Sequence, residues 1–145
     1  MKMDFSHEFN RMMDEAVNIA LATSVEDMPN VRIVNFYYNP QDKGVVYFSS
    51  FRGLPKTLEF SQNNKVAFTT VPTAPTENSE HVRVTNATVK KSAFTIYDLK
   101  DAFIKKLPSY EMLIAQAGDM FDVYEIHFKE ANVIVGVRQA GKVTL

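Results

Sequence analysis

Arg32, Ser49, Ser50, Lys56 and Thr57 are the residues of this chain whose types and spacing suit the binding of a small anion. Lys56 follows Pro55, a residue that fits the first turn of a helix, so its ammonium would add a full charge to the partial positive charge of the unpaired amides there. Arg32 lies in a run otherwise rich in Val, Ile, Phe and Tyr. A guanidinium fork and an ammonium point charge together match one dianion such as a phosphate, and the hydroxyls of Ser49, Ser50 and Thr57 can add neutral donors. Each residue also has a plainer reading. Lys56 can be a solvated helix-start lysine, Arg32 an exposed strand residue, and the hydroxyls ordinary strand-end and turn chemistry.

Other chemistries find little support. The chain has no cysteine, which excludes disulfides, thiolate catalysis and Cys-ligated metal centres. His7, His81 and His127 are far apart and show no ligand spacing, so no metal site is expected. No nucleophile elbow, Walker loop or dinucleotide fingerprint is present. A net charge of -1 removes the broad attraction that nucleic-acid binders show for phosphate polymers, yet leaves room for one basic pocket. No apolar run is long enough to span a membrane, and Asp4, Ser6, His7 and Glu8 interrupt the N-terminus where a signal peptide needs continuous apolar residues, so the cytoplasm is expected.

Periodicity indicates the framework that holds these residues. At 145 residues, nearly half of them apolar and with 11 Phe and 6 Tyr, one domain spanning residues 1–145 with a real core is expected. Phe5, Phe9, Met12, Met13 and Ala16 recur at helical spacing behind a cap at Asp4 or Ser6. Strands are expected over 18–24, 31–38, 45–50 and 65–71, with a turn at Glu26 to Pro29 and another closed by Gly44. Pro55 starts a short helix that ends at Ser61 to Asn64. A Pro- and Thr-rich loop fills 71–80. Residues 81–91 read as a half-buried strand with Val82, Val84, Asn86 and Thr88 on one face. Thr95 and Asp98 form a capping pattern for a helix through Leu107, and Pro108 separates it from a second helix over 109–117. Residues 121–128 and 133–137 read as a closing hairpin turned by Lys129 to Asn132. The early connections are too short for parallel crossovers, so an antiparallel barrel is expected.

Tyr47-Phe48-Ser49-Ser50 followed by Lys56, with Arg32 early in the preceding strand and Ala20-Leu21-Ala22-Thr23 before it, resembles the FMN-binding split-barrel family of pyridoxamine 5'-phosphate oxidase-like proteins. Length and pattern are similar to its small general-stress and nitroimidazole-reductase-like branch. The resemblance covers residues 20–91 and, more loosely, 121–138. It implies a mainly β fold with inserted helices, an antiparallel six- to seven-stranded split β-barrel, and a homodimer in which the two-fold partner completes an FMN pocket. It assigns Arg32 and Lys56 to the cofactor phosphate and runs Ile33, Val34 and Asn35 beneath the flavin edge. Asn35 either contacts flavin or satisfies a neighbouring strand, and Phe48 either packs by the ring or belongs to the core. The implied activity is flavin-dependent oxidoreduction of a small-molecule substrate or electron acceptor, with no side chain needed as acid or base. The alternative is a non-catalytic flavin- or haem-binding carrier or sensor. The family's oxidase carries an Arg-x-His near its end for pyridoxine phosphate. Here Arg138-Gln139-Ala140 lacks the histidine, which argues against vitamin B6 oxidation.

Overall fold

In a computed structural model, which describes residues 3–73, 80–136 and 138–145, the chain begins with helix α1 (Phe5–Glu15). Asp4 is its cap, accepting from the His7 amide at 3.2 Å, and the stripe expected from spacing buries Phe9, Met12 and Met13. Strands β1 (Asn18–Val25) and β2 (Met28–Asn35) come next as a hairpin. Its turn is tighter than the sequence suggests. Only Glu26 and Asp27 turn, both at positive φ, which is the backbone hand that joins twisted antiparallel strands in two residues. Met28 and Pro29 therefore belong to the strand.

Phe36 then breaks the run, and β3 is just Tyr37–Tyr38, pairing with β4 (Val45–Phe51). Gly44 closes that turn at φ +79°, and a side chain there would collide with the Phe128 carbonyl. Helix α2 (Pro55–Gln62) and strand β5 (Lys65–Val71) match their expected places. Most of the Pro- and Thr-rich loop lies outside the described residues.

Strand β6 (His81–Lys91) keeps its expected bounds but not its expected phase. Val66 faces Ala87 while Phe68 faces Val84, so β6 carries one extra residue there. The bulge exposes Thr85 and Asn86 and turns Ala87 and Val89 inward in place of Asn86 and Thr88. Reciprocal bonds between Thr95 and Asp98 form as the capping pattern implies, although the α-helix proper, α3, begins only at Lys100 and ends at Lys106. Helix α4 is Tyr110–Ala117.

The end of the chain departs from the expected hairpin. Strands β7 (Phe121–Phe128) and β8 (Glu130–Gly136) both pair with β6, end to end along the same edge and in one continuous register, so Lys129 marks a bend in a running strand. The hairpin is instead β8 with β9 (Gln139–Thr144). Val137, expected as a strand end, lies outside the described residues.

The result is an antiparallel nine-stranded sheet ordered β2-β1-β5-β6-β7-β4-β3, with β8 and β9 extending from β6. The count exceeds six or seven because β3 and β9 are separate strands. The sheet is not closed, yet β2 and β3 at its opposite ends are separated in sequence by Phe36 alone, so the two margins meet at one corner of a split barrel. Phe9, Phe36, Phe48, Phe68, Phe128 and their aliphatic neighbours fill the interior. A second apolar cluster lies outside the barrel wall, where Val45, Tyr47, Phe121 and Val123 meet Ile96, Phe103, Tyr110 and Ile114. Lys106 ties this outer layer to α1. Its Nζ donates to the Met13 carbonyl at 2.8 Å and to Ala16 at 2.5 Å, over the Phe36 ring. No helix among the described residues is long and apolar enough to cross a membrane.

Candidate functional site

Helix α2 lies across the mouth of the barrel because Phe60 is buried there, its ring 5.8 Å from Phe48 and 5.4 Å from Tyr124. Pro55 starts the helix without the loss of a needed donor, and Thr57 closes the first turn by donating to the Leu54 carbonyl at 2.6 Å. Lys56 and Glu59, three residues apart, share the helix face turned toward β1 and β2. On those strands the alternation that buries Ile19, Leu21 and Val34 also turns Thr23, Asn30 and Arg32 to the same side.

The two sets meet in an open hollow of about 290 Å³ lined by Asn30, Arg32, Ile33, Leu54, Pro55, Lys56 and Glu59. Arg32 Nη2 donates to Glu59 Oε2 at 2.5 Å and Nη1 to Thr23 Oγ1 at 3.0 Å. Thr23 Oγ1 donates to the same Glu59 oxygen at 2.6 Å, and Asn30 Nδ2 donates to Glu59 Oε1 at 3.0 Å. These hydrogen bonds, from Thr23 first, then Asn30 and Arg32, hold the Glu59 carboxyl below the usual carboxylate range. Lys56 differs. It is half-buried and forms no ion pair among the described residues, and its ammonium is pushed below the ordinary lysine value by burial and then by the Arg32 charge. Two cations and one carboxylate leave the hollow with a local surplus of one positive charge.

Arg32 and Lys56, expected together from their types, are therefore neighbours. The hydroxyls are not arranged with them as expected. Ser49 and Ser50 are successive strand residues and face opposite sides of the wall. Ser49 lies beside the Tyr110 hydroxyl at 3.4 Å on the outside, and Ser50 is buried with its hydroxyl on the Phe51 carbonyl. Thr57 is occupied by its own helix turn. Asn35 binds Asn18 and accepts from Tyr110 at 3.1 Å, so its side chain satisfies neighbouring elements. Phe48 and Val34 are core residues, Phe48 fully buried and stacked 5.5 Å from Tyr124. Ile33 stands at the rim of the hollow, 57% exposed.

Four participants escaped the sequence reading. Thr23, Asn30 and Glu59 come from three elements, and only the cross-strand partnership of Thr23 with Asn30 has a local signal, the short hairpin. Glu59 could have been suspected from its position one turn after Lys56. Tyr110, which joins Asn35 to Ser49, comes from a helix about 60 residues beyond Ser49 and has no signal in the sequence near either.

The family model described as pyridoxamine 5'-phosphate oxidase-like matches residues 12–140. No curated protein matches the chain. Several solved structures share its fold at low identity. A haem-binding protein from Mycobacterium smegmatis superposes with a TM-score of 0.75 at 13% identity over 99% of this chain. The chain spans only 60% of that protein's length. A protein from Clostridium acetobutylicum related to general stress protein 26 of B. subtilis, of the pyridoxinephosphate oxidase family, gives a TM-score of 0.73 at 11% identity, covering 99% of this chain and 97% of its own. A FAD-binding protein from Mesorhizobium loti gives 0.64 at 13% identity, covering 94% and 91%.

Proposed function

Because the chain belongs to the pyridoxamine 5'-phosphate oxidase-like family, we propose that it is an FMN-dependent oxidoreductase whose cofactor phosphate is held by Arg32 and Lys56. The observation that carries this reading is Lys56: a half-buried ammonium kept beside a guanidinium, with no carboxylate of its own among the described residues, is stabilised by an arriving anion. When bound, the flavin supplies the electron or hydride transfer, and the protein's task is to hold it and limit access. Arg32 and Lys56 fix the phosphate end, and Ile33 offers apolar surface at the rim. Contacts from Val34, Asn35, Phe48, Ser49 and Ser50 to the cofactor are proposed through their backbone groups, since their side chains are engaged elsewhere.

The proposed working form is a cytoplasmic homodimer of one-domain subunits, with the partner covering β2 and completing the pocket. The substrate is a small molecule or electron acceptor. Pyridoxine phosphate is disfavoured by the Gln139 and Ala140 that come after Arg138.

A second reading is a haem-binding carrier. It is favoured by the fold shared with the M. smegmatis haem-binding protein and by the Lys56 ammonium, which a carboxylate can meet without displacing Glu59 from Arg32. Titration with FMN and riboflavin separates the two. Wild type is expected to prefer FMN, and Lys56→Met to lose about tenfold to a hundredfold in FMN affinity with riboflavin unaffected. Equal binding of riboflavin and FMN by wild type would refute the phosphate site, and a haem band in protein purified from cells would favour the carrier.

A further inference from the structure

The anion that Arg32 already holds is the most informative feature of the hollow. Glu59 Oε2 lies 2.5 Å from Arg32 Nη2, and the two side chains are only 17% and 22% exposed, so this is not an ion pair loosened by solvent. Thr23 and Asn30 fasten the same carboxylate from β1 and β2. Lys56, one helical turn before Glu59 on α2, is left without a partner among the described residues. An incoming anion thus meets one available cation and one that is taken.

We infer that Glu59 is an internal competitor for the ligand's anionic group: it occupies the Arg32 fork until a phosphate displaces it, and this exchange makes the site selective for a phosphate monoester dianion over a single carboxylate. The inference rests on the phosphate reading of the hollow given above. Exchanging one carboxylate for another at Arg32 gains nothing, because the outgoing Glu59 and the incoming group are chemically alike. A phosphate dianion carries more charge and three free oxygens, enough to meet the guanidinium fork and the Lys56 ammonium at once. It therefore gains from the displacement where a carboxylate does not. Glu59 lines the open hollow, so rotation of its side chain outward through that opening is its route out.

The test compares FMN and riboflavin binding to wild type, Glu59→Gln and Asn30→Ala by flavin fluorescence or calorimetry. Glu59→Gln keeps the shape and removes the charge that competes. It is expected to bind FMN roughly tenfold more tightly than wild type, with riboflavin unchanged. Asn30→Ala releases one tether of the carboxylate from an exposed position and is expected to move FMN affinity the same way by a smaller factor. It keeps the inference testable if Glu59→Gln does not fold. If FMN binding is unchanged or weaker in the variants while wild type still prefers FMN to riboflavin, Glu59 positions Arg32 and does not compete with the ligand. The inference then falls and the phosphate site stands. If no form distinguishes FMN from riboflavin, the phosphate site itself is wrong.

Discussion

The outer faces of β4 and β2 are both apolar, but only one is covered. On β4, Val45 and Tyr47 lie beneath the α3–α4 layer, where Phe103 is nearly fully buried between Tyr37 and Tyr110, with centroids 6.3 and 5.2 Å away. On β2, Val31 and Ile33 are 63% and 57% exposed, with the exposed Leu54 beside Ile33 at the rim of the hollow. Neither strand's own sequence announces the difference. It comes from the helical insertion between β6 and β7, which covers one margin of the sheet and meets the other at Asn35, through Tyr110, leaving Val31 and Ile33 bare. An edge strand with a bare apolar face is the usual place for a further chain to pack, which is why the homodimer is proposed there.

The covered face depends most heavily on Phe103. Phe103→Ala should empty its centre and lower stability by about 3 to 5 kcal/mol in chemical denaturation, while leaving β2 untouched. A loss below about 1 kcal/mol would mean that the helical layer is a loose cover and that the two faces differ little.

A smaller effect is expected at the other anchor of the same layer. Lys106→Met strands the carbonyls of Met13 and Ala16 and should cost about 1 to 2 kcal/mol at neutral pH. Burial pushes the Lys106 ammonium down to about 8, partly offset by Asp14. Between about pH 8 and the ordinary lysine value the unfolded chain therefore holds more protons than the folded one, and stability rises with pH through that window. The neutral amine still donates to both carbonyls. The advantage of wild type over Lys106→Met should accordingly widen as pH rises above 8, as measured by denaturation at several pH values. A gap that narrows would reverse the sign assigned to this lysine.

The smallest change in subunit stability, within about 0.5 kcal/mol, is expected for Ile33→Lys on the bare face. Its effect should appear in association instead. Sedimentation at several concentrations should find wild type dimeric and Ile33→Lys shifted toward monomer, and a wild type that stays monomeric would remove the partner from β2.

What could be read in the sequence was whatever is local. Pro55 announced α2, Gly44 its turn, and the alternation in 65–71 its strand, because each depends on backbone restrictions of the residues themselves. The β6 phase was missed since a bulge is defined by the partner strand, not by Thr85 or Asn86. Lys129 to Asn132 looked like a turn, but pairing with β6 carries the strand straight through it. At the site, Arg32 stood out as a charge in an apolar strand and Lys56 by its place after Pro55 at a helix start, and the family resemblance joined them. The carboxylate held by Arg32 was not legible, since its meaning depends on α2 docking through Phe60.

Phe36 has a consequence for how the chain's length can vary. Val34, Phe36 and Tyr38 are all buried, so the inward-outward alternation passes unbroken from one margin of the sheet to the other through this one residue. Adding or deleting a single residue here would invert the facing of β3 relative to β2, taking Tyr38 out of the interior and Tyr37 out of the outer cluster. The Glu26-Asp27 turn, open to solvent, tolerates extra length far more readily. Among homologous chains, insertions should therefore collect at that hairpin tip and be absent at the crossing.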